Sequence, residues 1–357
     1  MIDIDGKKYE INRKTAIVTN WDKIYCNILK RILKKGELCK NRTGIDTLSI
    51  EGVYFKLDVG KSFPILETKK VALANTITEL LWIYQAQTND VKWLHDRQNH
   101  IWDDWMIDDD GIYRIYEPYI NENKKNIVKV KDIYGNDTNL TASSLKENRT
   151  IKEAIYYGPE YAHTIGTAYG YVVKETKEFD NVLYSLKNNP TSRRNVVSLR
   201  QANLLKTGVL EPCVWASTYK VSNGKLNINV DVRSNDMPIG NPFNVTQYAI
   251  LLSLLAKVSN LEVGNLNWTI SDCHIYVNQL EQIKLQLSRF DKLLKWESFI
   301  KNNDDKEIIK EYKKILEGSD IEELMTLKHL ITRENPELYL SNKDNFYEFD
   351  NKKENED

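Results

Sequence analysis

The chain has 357 residues, and 50 Lys and Arg stand against 51 Asp and Glu, a formal net charge of −1. At that length it can bury a large core as one big domain or two ordinary ones, and 41% hydrophobic with 28% charged residues fits a folded chain, not a disordered one. Balanced charge excludes a global positive field for nucleic acid or anionic lipid, and no apolar run approaches the roughly 20 residues of a membrane helix.

The start, Met1 to Lys8, lacks the basic-then-apolar layout of a signal peptide. Cys26, Cys39, Cys213 and Cys273 are scattered without a CxxC pair, so reduced thiols and a cytoplasmic location are expected. Trp21, Ile24, Tyr25, Ile28, Leu29, Ile32 and Leu33 recur at helical spacing and predict a helix over 20–36. Alternation of Leu48, Ile50, Val53, Phe55 and Leu57 predicts a strand over 48–59. Residues 71–86 read as a strongly apolar helix carrying one carboxylate, Glu79, for which a partly exposed charge at a helix edge is the ordinary reading. The stretch 112–160 is polar, rich in Lys and Asn and aperiodic, and reads as an insertion. A helix over 180–189 closes at Asn189-Pro190. Strands follow over 196–199, 215–221 and 226–232, the last two joined by the turn Ser222-Asn223-Gly224. Residues 245–259 form the most apolar helix, 290–333 a charged helical stretch read as a second insertion, and 351–357 a solvated, frayed end. Strands and helices are interspersed without regular βαβ alternation, which predicts an α+β fold, one domain over 1–357 with insertions at about 112–160 and 290–333.

No GxGxxG, P-loop, HExxH or GxSxG motif is present, against dinucleotide, NTPase, zinc-protease and serine-hydrolase chemistry. Three segments combine reactive residues with turn residues. Glu211-Pro212-Cys213-Val214 places a thiol at a strand start, where a buried small hydrophobe is the commoner meaning. Arg233-Ser234-Asn235-Asp236 precedes Gly240-Asn241-Pro242-Phe243-Asn244; it reads equally as a polar loop or as a strand end and helix N-terminus suited to an anion. In Asp272-Cys273-His274-Ile275-Tyr276, alternation puts His274 and Tyr276 on one face of a short strand, with a structural histidine the usual reading. Arg193 and Arg194 offer adjacent guanidiniums that are ordinarily just exposed.

Taken together and in order, these segments resemble the thymidylate synthase and pyrimidine-nucleotide hydroxymethylase family. Asn41-Arg42-Thr43-Gly44, the run 63–71 (FPILETKKV), Glu79-Leu80-Leu81-Trp82 and His100-Ile101-Trp102-Asp103-Asp104-Trp105 look like its N-terminal motifs. Tyr169-Gly170, Ser192-Arg193-Arg194 and the three segments above complete a collinear series spanning about 20–290 apart from the insertion. The resemblance implies a large mixed β-sheet with flanking helices, the sheets of two protomers packed across a homodimer.

By resemblance Cys213 is the nucleophile that adds to C6 of the pyrimidine, a step suited to a soft, low-pKa sulfur. C5 then attacks the methylene of 5,10-methylenetetrahydrofolate, the co-substrate; no metal is implied. Glu79 would organise proton transfers, its pKa raised by the apolar helix. Tyr169 would assist loss of the C5 proton, and Arg233 would hold phosphate and favour the thiolate. Arg42 and Ser234 are also expected on the phosphate, with Arg193 and Arg194 reaching it from the neighbouring subunit. His274 and Tyr276 would bind the sugar 3′-hydroxyl, and Trp102, Trp105, Asp236, Ile239 and Gly240 would receive the folate. Asn244, with an amide donor and acceptor, matches N3–H and O4 of uracil and implies dUMP, not dCMP.

The sequence departs from the family pattern at Val214, Thr218, Val232 and Arg200-Gln201. It ends eight residues after Phe346-Tyr347-Glu348-Phe349, where relatives continue with a tail that closes over the folate. An open site favours water over hydride. The truncation raises the hydroxymethylase reading, while either insertion could supply a substitute lid; the expectation is thymidylate synthase, with dUMP hydroxymethylase as the alternative and a non-catalytic nucleotide-binding homologue third.

Overall fold

The computed structural model describes residues 1–118, 126–318 and 320–350, so the solvated end expected at 351–357 lies outside the described residues. In chain order the elements are β1 (Ile2–Ile4), β2 (Lys7–Tyr9), α1 (Asn20–Lys35), β3 (Glu37–Cys39), β4 (Thr47–Asp58), α2 (Leu73–Tyr84) and α3 (Lys92–His95). There follow β5 (Ile112–Tyr116), β6 (Ile127–Asp132), β7 (Asp137–Ser143), β8 (Ile151–Tyr156), α4 (Gly170–Thr176), α5 (Glu178–Asn188) and β9 (Val196–Ser198). The chain then continues through β10 (Val214–Ser222), β11 (Lys225–Asp236), α6 (Gly240–Val258), β12 (Glu262–Tyr276), α7 (Leu280–Asn302), α8 (Asp305–Gly318) and α9 (Ile321–Thr332).

The main sheet is mixed and six-stranded, ordered β3-β4-β12-β11-β10-β9. β10 and β11 form an antiparallel hairpin whose turn residues, Asn223 and Gly224, both have positive φ (51° and 75°), the primed geometry that matches strand twist. β11 and β12 are parallel, which requires a crossover, and α6 supplies it. β12 pairs antiparallel with β4 on its other side. One face of this sheet is the core. Trp268 is fully buried, its ring stacked on Phe55 at 6.3 Å and edge-on to Tyr248 of α6 at 5.8 Å. Trp21 of α1 meets Phe55 from the other side at 5.0 Å. α6 is buried on nearly every side, as an all-apolar helix must be.

The stretch 112–160 differs from its aperiodic reading. β5, β8, β6 and β7 form a separate four-stranded sheet with its own small core of Ile112, Val130, Ala142, Ile151 and Ala154. Its strands bury one face with few, small residues and fill the other with Lys, Thr and Asn, so period-two alternation is faint. The charged stretch 290–333 also begins elsewhere than expected: α7 starts at Leu280, and Phe290, Leu293, Trp296 and Ile300 on its inner face are part of the main core. The segment around His274 is the end of a 15-residue strand, not a short one, and α6 starts five residues before its apolar run, taking in Asn244.

Asp22, fully buried in α1, fixes the loop before α2. Its carboxylate accepts from the backbone N–H of Glu67 and Thr68 and from the Thr68 hydroxyl. Asp22→Ala strands these donors and is expected to cost about 2–4 kcal/mol. The readout is a lower urea midpoint at unchanged slope.

Candidate active site

The parallel register of β11 and β12 sets Ser234 beside Asp272 and Asp236 beside His274. Asp272 gathers three donors: Ser49, Ser234 (Oγ, 2.8 Å) and His274 (Nδ1, 3.2 Å). These bonds, that from His274 foremost, hold the Asp272 carboxyl far below its usual range. His274 is buried, and its ring meets Tyr276 edge-on at 5.3 Å, two residues along the same face.

Cys213 sits immediately before β10, where Arg233 on β11 clasps its turn. Arg233 Nε and Nη2 donate to the carbonyls of Pro212 and Glu211, and Nη2 lies 3.9 Å from Cys213 Sγ. The Cys213 thiol is nonetheless pushed up, not down: burial outweighs the pull of Arg233 and Arg42, and Asp236 adds to it. The low-pKa sulfur expected from the sequence is therefore corrected, because the desolvation of a half-buried site exceeds what two guanidiniums return.

Glu79 is 7% exposed, not at a helix edge. Its Oε1 accepts from Trp102 Nε1 at 2.7 Å and its Oε2 from Gln247 Nε2 at 2.6 Å. Burial lifts its pKa to about 7, with both hydrogen bonds opposing. Trp102 lies edge-on to Trp105 (5.5 Å) and to Tyr169 (5.2 Å). Tyr169 caps α4 with φ 47° and ψ −107°, a conformation a bulky residue holds only when its surroundings impose it. Burial, then the fields of Cys213 and Glu79, drive its hydroxyl well above the ordinary range, while a backbone hydrogen bond with Cys213 opposes. Asp236 is raised by burial and takes Gln279 Nε2 on both oxygens, at 3.4 and 3.3 Å. Asn244 is held in the first turns of α6 by Asn235 (Nδ2 to Oδ1, 3.4 Å), itself fixed by buried Asn241 at 2.7 Å. Gly240 starts α6, and Ile239 just before it is 63% exposed.

Cys213, Arg233, Arg42, Tyr169, Glu79, Trp102, Ser234, Asp236, His274 and Tyr276 thus form one connected neighbourhood. Arg42 is exposed at its mouth; its field acts on both Cys213 and Tyr276, and its carbonyl accepts from Lys152 of β8 at 3.1 Å. Arg193 and Arg194 do not join it. Val196 of β9 pairs with Thr218, so Arg194 lies level with Lys220, some seven residues or about 20 Å along β10 from Cys213. Both are exposed, with no ion pair among the described residues. Sequence reasoning missed Gln247, Asp272 and Gln279 as supports. For Gln247 the signal was there, the one amide within the apolar run 245–259.

The chain matches the family model described as Thymidylate synthase over residues 23–317. The chain belongs to the thymidylate synthase family. The thymidylate synthase of Clostridium beijerinckii is 34% identical over 269 residues, 75% of this chain and 82% of that protein. That of Mycoplasma mobile is 36% identical over 290 residues, 80% of this chain and 90% of the relative. Among solved structures, thermostable thymidylate synthase A from Bacillus subtilis superposes with a TM-score of 0.57 at 31% identity, covering 76% of this chain and 85% of that one. The α+β expectation with a large mixed sheet and flanking helices holds, and these relatives carry the synthase name, not that of a hydroxymethylase.

The burial of Glu79 exacts a stability cost with a definite pH window. At pH 4 the carboxyl is protonated in folded and unfolded chains alike. Between its ordinary 4.5 and about 7 the unfolded chain releases the proton first, so folding is progressively penalised, up to roughly 3 kcal/mol above pH 7. Glu79→Gln, its partner amide at Gln247 turned to suit, is expected to leave the thermal midpoint unchanged at pH 4 and to raise it at pH 8. Calorimetry at the two pH values checks this.

Proposed function

We propose that this chain converts dUMP to dTMP with 5,10-methylenetetrahydrofolate as donor of both carbon and hydride, and that Cys213 is the nucleophile. The observation that carries the reading is the joining of a thiol, a guanidinium at 3.9 Å and a buried carboxyl with pKa near 7 at the carboxyl end of β11. The thiolate adds to C6 of the pyrimidine and drives electron density to C5, which attacks the methylene carbon. Arg233 and Arg42 stabilise the anion that the addition needs; their pull is already present on Cys213. Glu79, half-titrated near neutral pH, is suited to relaying protons in both directions, and Tyr169, between Cys213 and Trp102, assists loss of the C5 proton.

Phosphate falls to Arg42, Arg233 and Ser234, the sugar 3′-hydroxyl to His274 and Tyr276, and the uracil edge to Asn244. The folate is received by Trp102, Trp105, Asp236, Ile239 and Gly240. From Ile239 a groove of about 1040 Å³ runs between α7 and α9, with Lys69, Lys70 and Arg289 on its walls, room and charge for the acidic end of a folate. One domain over 1–357, with 112–160 and 290–333 as additions, fits a site whose thiol, guanidinium and buried carboxyl come from the main sheet and α2.

The neighbouring half of the phosphate site is supplied by a second protomer. The distance of Arg193 and Arg194 from their own Cys213 supports this, as does the outer sheet face, where Tyr54 is 63% and Trp215 38% exposed beside Thr218, Asn229 and Asn267. Two such faces packed together form the homodimer, and the enzyme acts in the cytoplasm; among the described residues no helix is long and apolar enough to cross a membrane.

The deciding experiment is mass spectrometry of the nucleotide after incubation with dUMP and methylenetetrahydrofolate, with dihydrofolate absorbance followed in parallel. dTMP with dihydrofolate is expected, dCMP should be left untouched, and Cys213→Ala should bind dUMP without turnover. A product one oxygen heavier than dTMP, without folate oxidation, would replace the synthase with the hydroxymethylase; no product would leave nucleotide binding alone. For the shared site, Arg193→Ala/Arg194→Ala is expected to raise KM for dUMP at least tenfold. Mixing it with the Cys213→Ala chain should restore activity toward one quarter or more of normal, because hybrid dimers own one intact site.

A further inference from the structure

Outside the reaction site, His95, His100 and Asp103 meet on the outer side of the turn that carries Trp102 and Trp105. His95 is the last residue of α3 and Asp103 the first of a 3-10 turn running to Trp105. The two imidazoles stack, centroids 4.8 Å apart and planes 28° inclined, and each presents one nitrogen at the same edge. His95 Nε2 lies 2.7 Å from Asp103 Oδ1, and His100 Nδ1 3.1 Å from Oδ2. The three donor atoms lie within 4.8 Å of one another. The loop between them is not free to drift. Asn99, fully buried, donates to the Asn75 carbonyl at 3.2 Å and accepts from Ile101 N–H, while Arg97 lies flat on Trp93 at 3.6 Å.

We propose that His95, His100 and Asp103 bind a borderline divalent cation of the zinc, cobalt or nickel type. Two imidazole nitrogens and one carboxylate oxygen are the donor set such ions take, at about 2.0–2.2 Å, with a remaining position open to water. Tetrahedral bonds of that length separate donors by about 3.4 Å. The present spread is close to that, and the side chains are 31%, 63% and 42% exposed, which leaves them room to rotate. Each imidazole turns one ring nitrogen toward the carboxylate. A metal takes the neutral tautomer whose proton sits on the other ring nitrogen, so that a lone pair faces the ion and no redox partner is needed. The Asp104 carboxylate next door is already engaged by Lys146 and stays outside the set. A bound ion would join the end of α3 to the turn of Trp102, whose indole holds Glu79, and so stiffen one wall of the reaction site without touching reactants.

The test uses the full chain freed of any polyhistidine tag. Titration with Co²⁺ is expected to give visible d–d absorption saturating at one equivalent, together with quenching of tryptophan fluorescence and an upward shift of the thermal midpoint. The exposed Cys39 and half-buried Cys213 are the competing ligands. A thiolate would betray itself by a sulfur-to-cobalt charge-transfer band, and Cys39→Ser is expected to change nothing. His100→Gln and His95→Gln should each weaken binding at least tenfold while circular dichroism and the unliganded midpoint stay as before. His100 is so exposed that its replacement does not endanger folding. Binding undiminished in both variants, a thiolate band, or no saturable binding up to millimolar Co²⁺ would each overturn the assignment.

Discussion

The parallel pairing of β11 with β12 is the constraint on which the rest depends. Two strands can run side by side in the same direction only if the chain crosses back between them, and here that return is made by α6, the most deeply buried helix. The consequence is positional. The carboxyl ends of both strands and the amino end of the helix converge, so Arg233, Ser234 and Asp236, Asp272, His274 and Tyr276, and Gly240 and Asn244 arrive from three elements at one place. A slip of one residue in that register would turn half of these side chains to the opposite sheet face. The stacked Trp268 and Phe55, wedged beneath α1 and α6, make such a slip costly.

The second organising feature is a buried carboxyl held by an indole and an amide. Glu79 sits on α2, Trp102 after α3 and Gln247 on α6, so one proton-carrying group ties three helical segments together. Stability and titration near neutrality pull against each other here: a hydrophobic or amide replacement would suit the core better, yet it is the ionisable group in a dry place whose pKa rises to about 7.

Much of this was legible in the sequence, and for identifiable reasons. Long amphipathic or all-apolar runs such as 20–36 and 245–259 declared their helices, and Asn223-Gly224 declared its hairpin. The residues that the fold gathers at one place were legible because motif order carried them, not because any single one stood out; Cys213 or His274 alone reads as packing. What stayed hidden is what depends on distance in space. The sheet of 112–160 has a core of only Ile112, Val130, Ala142, Ile151 and Ala154, spread over four strands and too sparse to imprint a period. The supports Gln247, Asp272 and Gln279 acquire meaning only once strand register and helix crossing bring them to their partners. The rise of the Cys213 pKa likewise follows from enclosure, which residue types do not announce.

That enclosure bears on the durability of the protein. A sulfur that remains a protonated thiol is a poor target for peroxide and for alkylating electrophiles, because both attack the thiolate. The burial that raises the Cys213 pKa thereby shelters this thiol from chance oxidation. The exposed Cys39, with no such shelter, is the thiol on which oxidative damage should fall first.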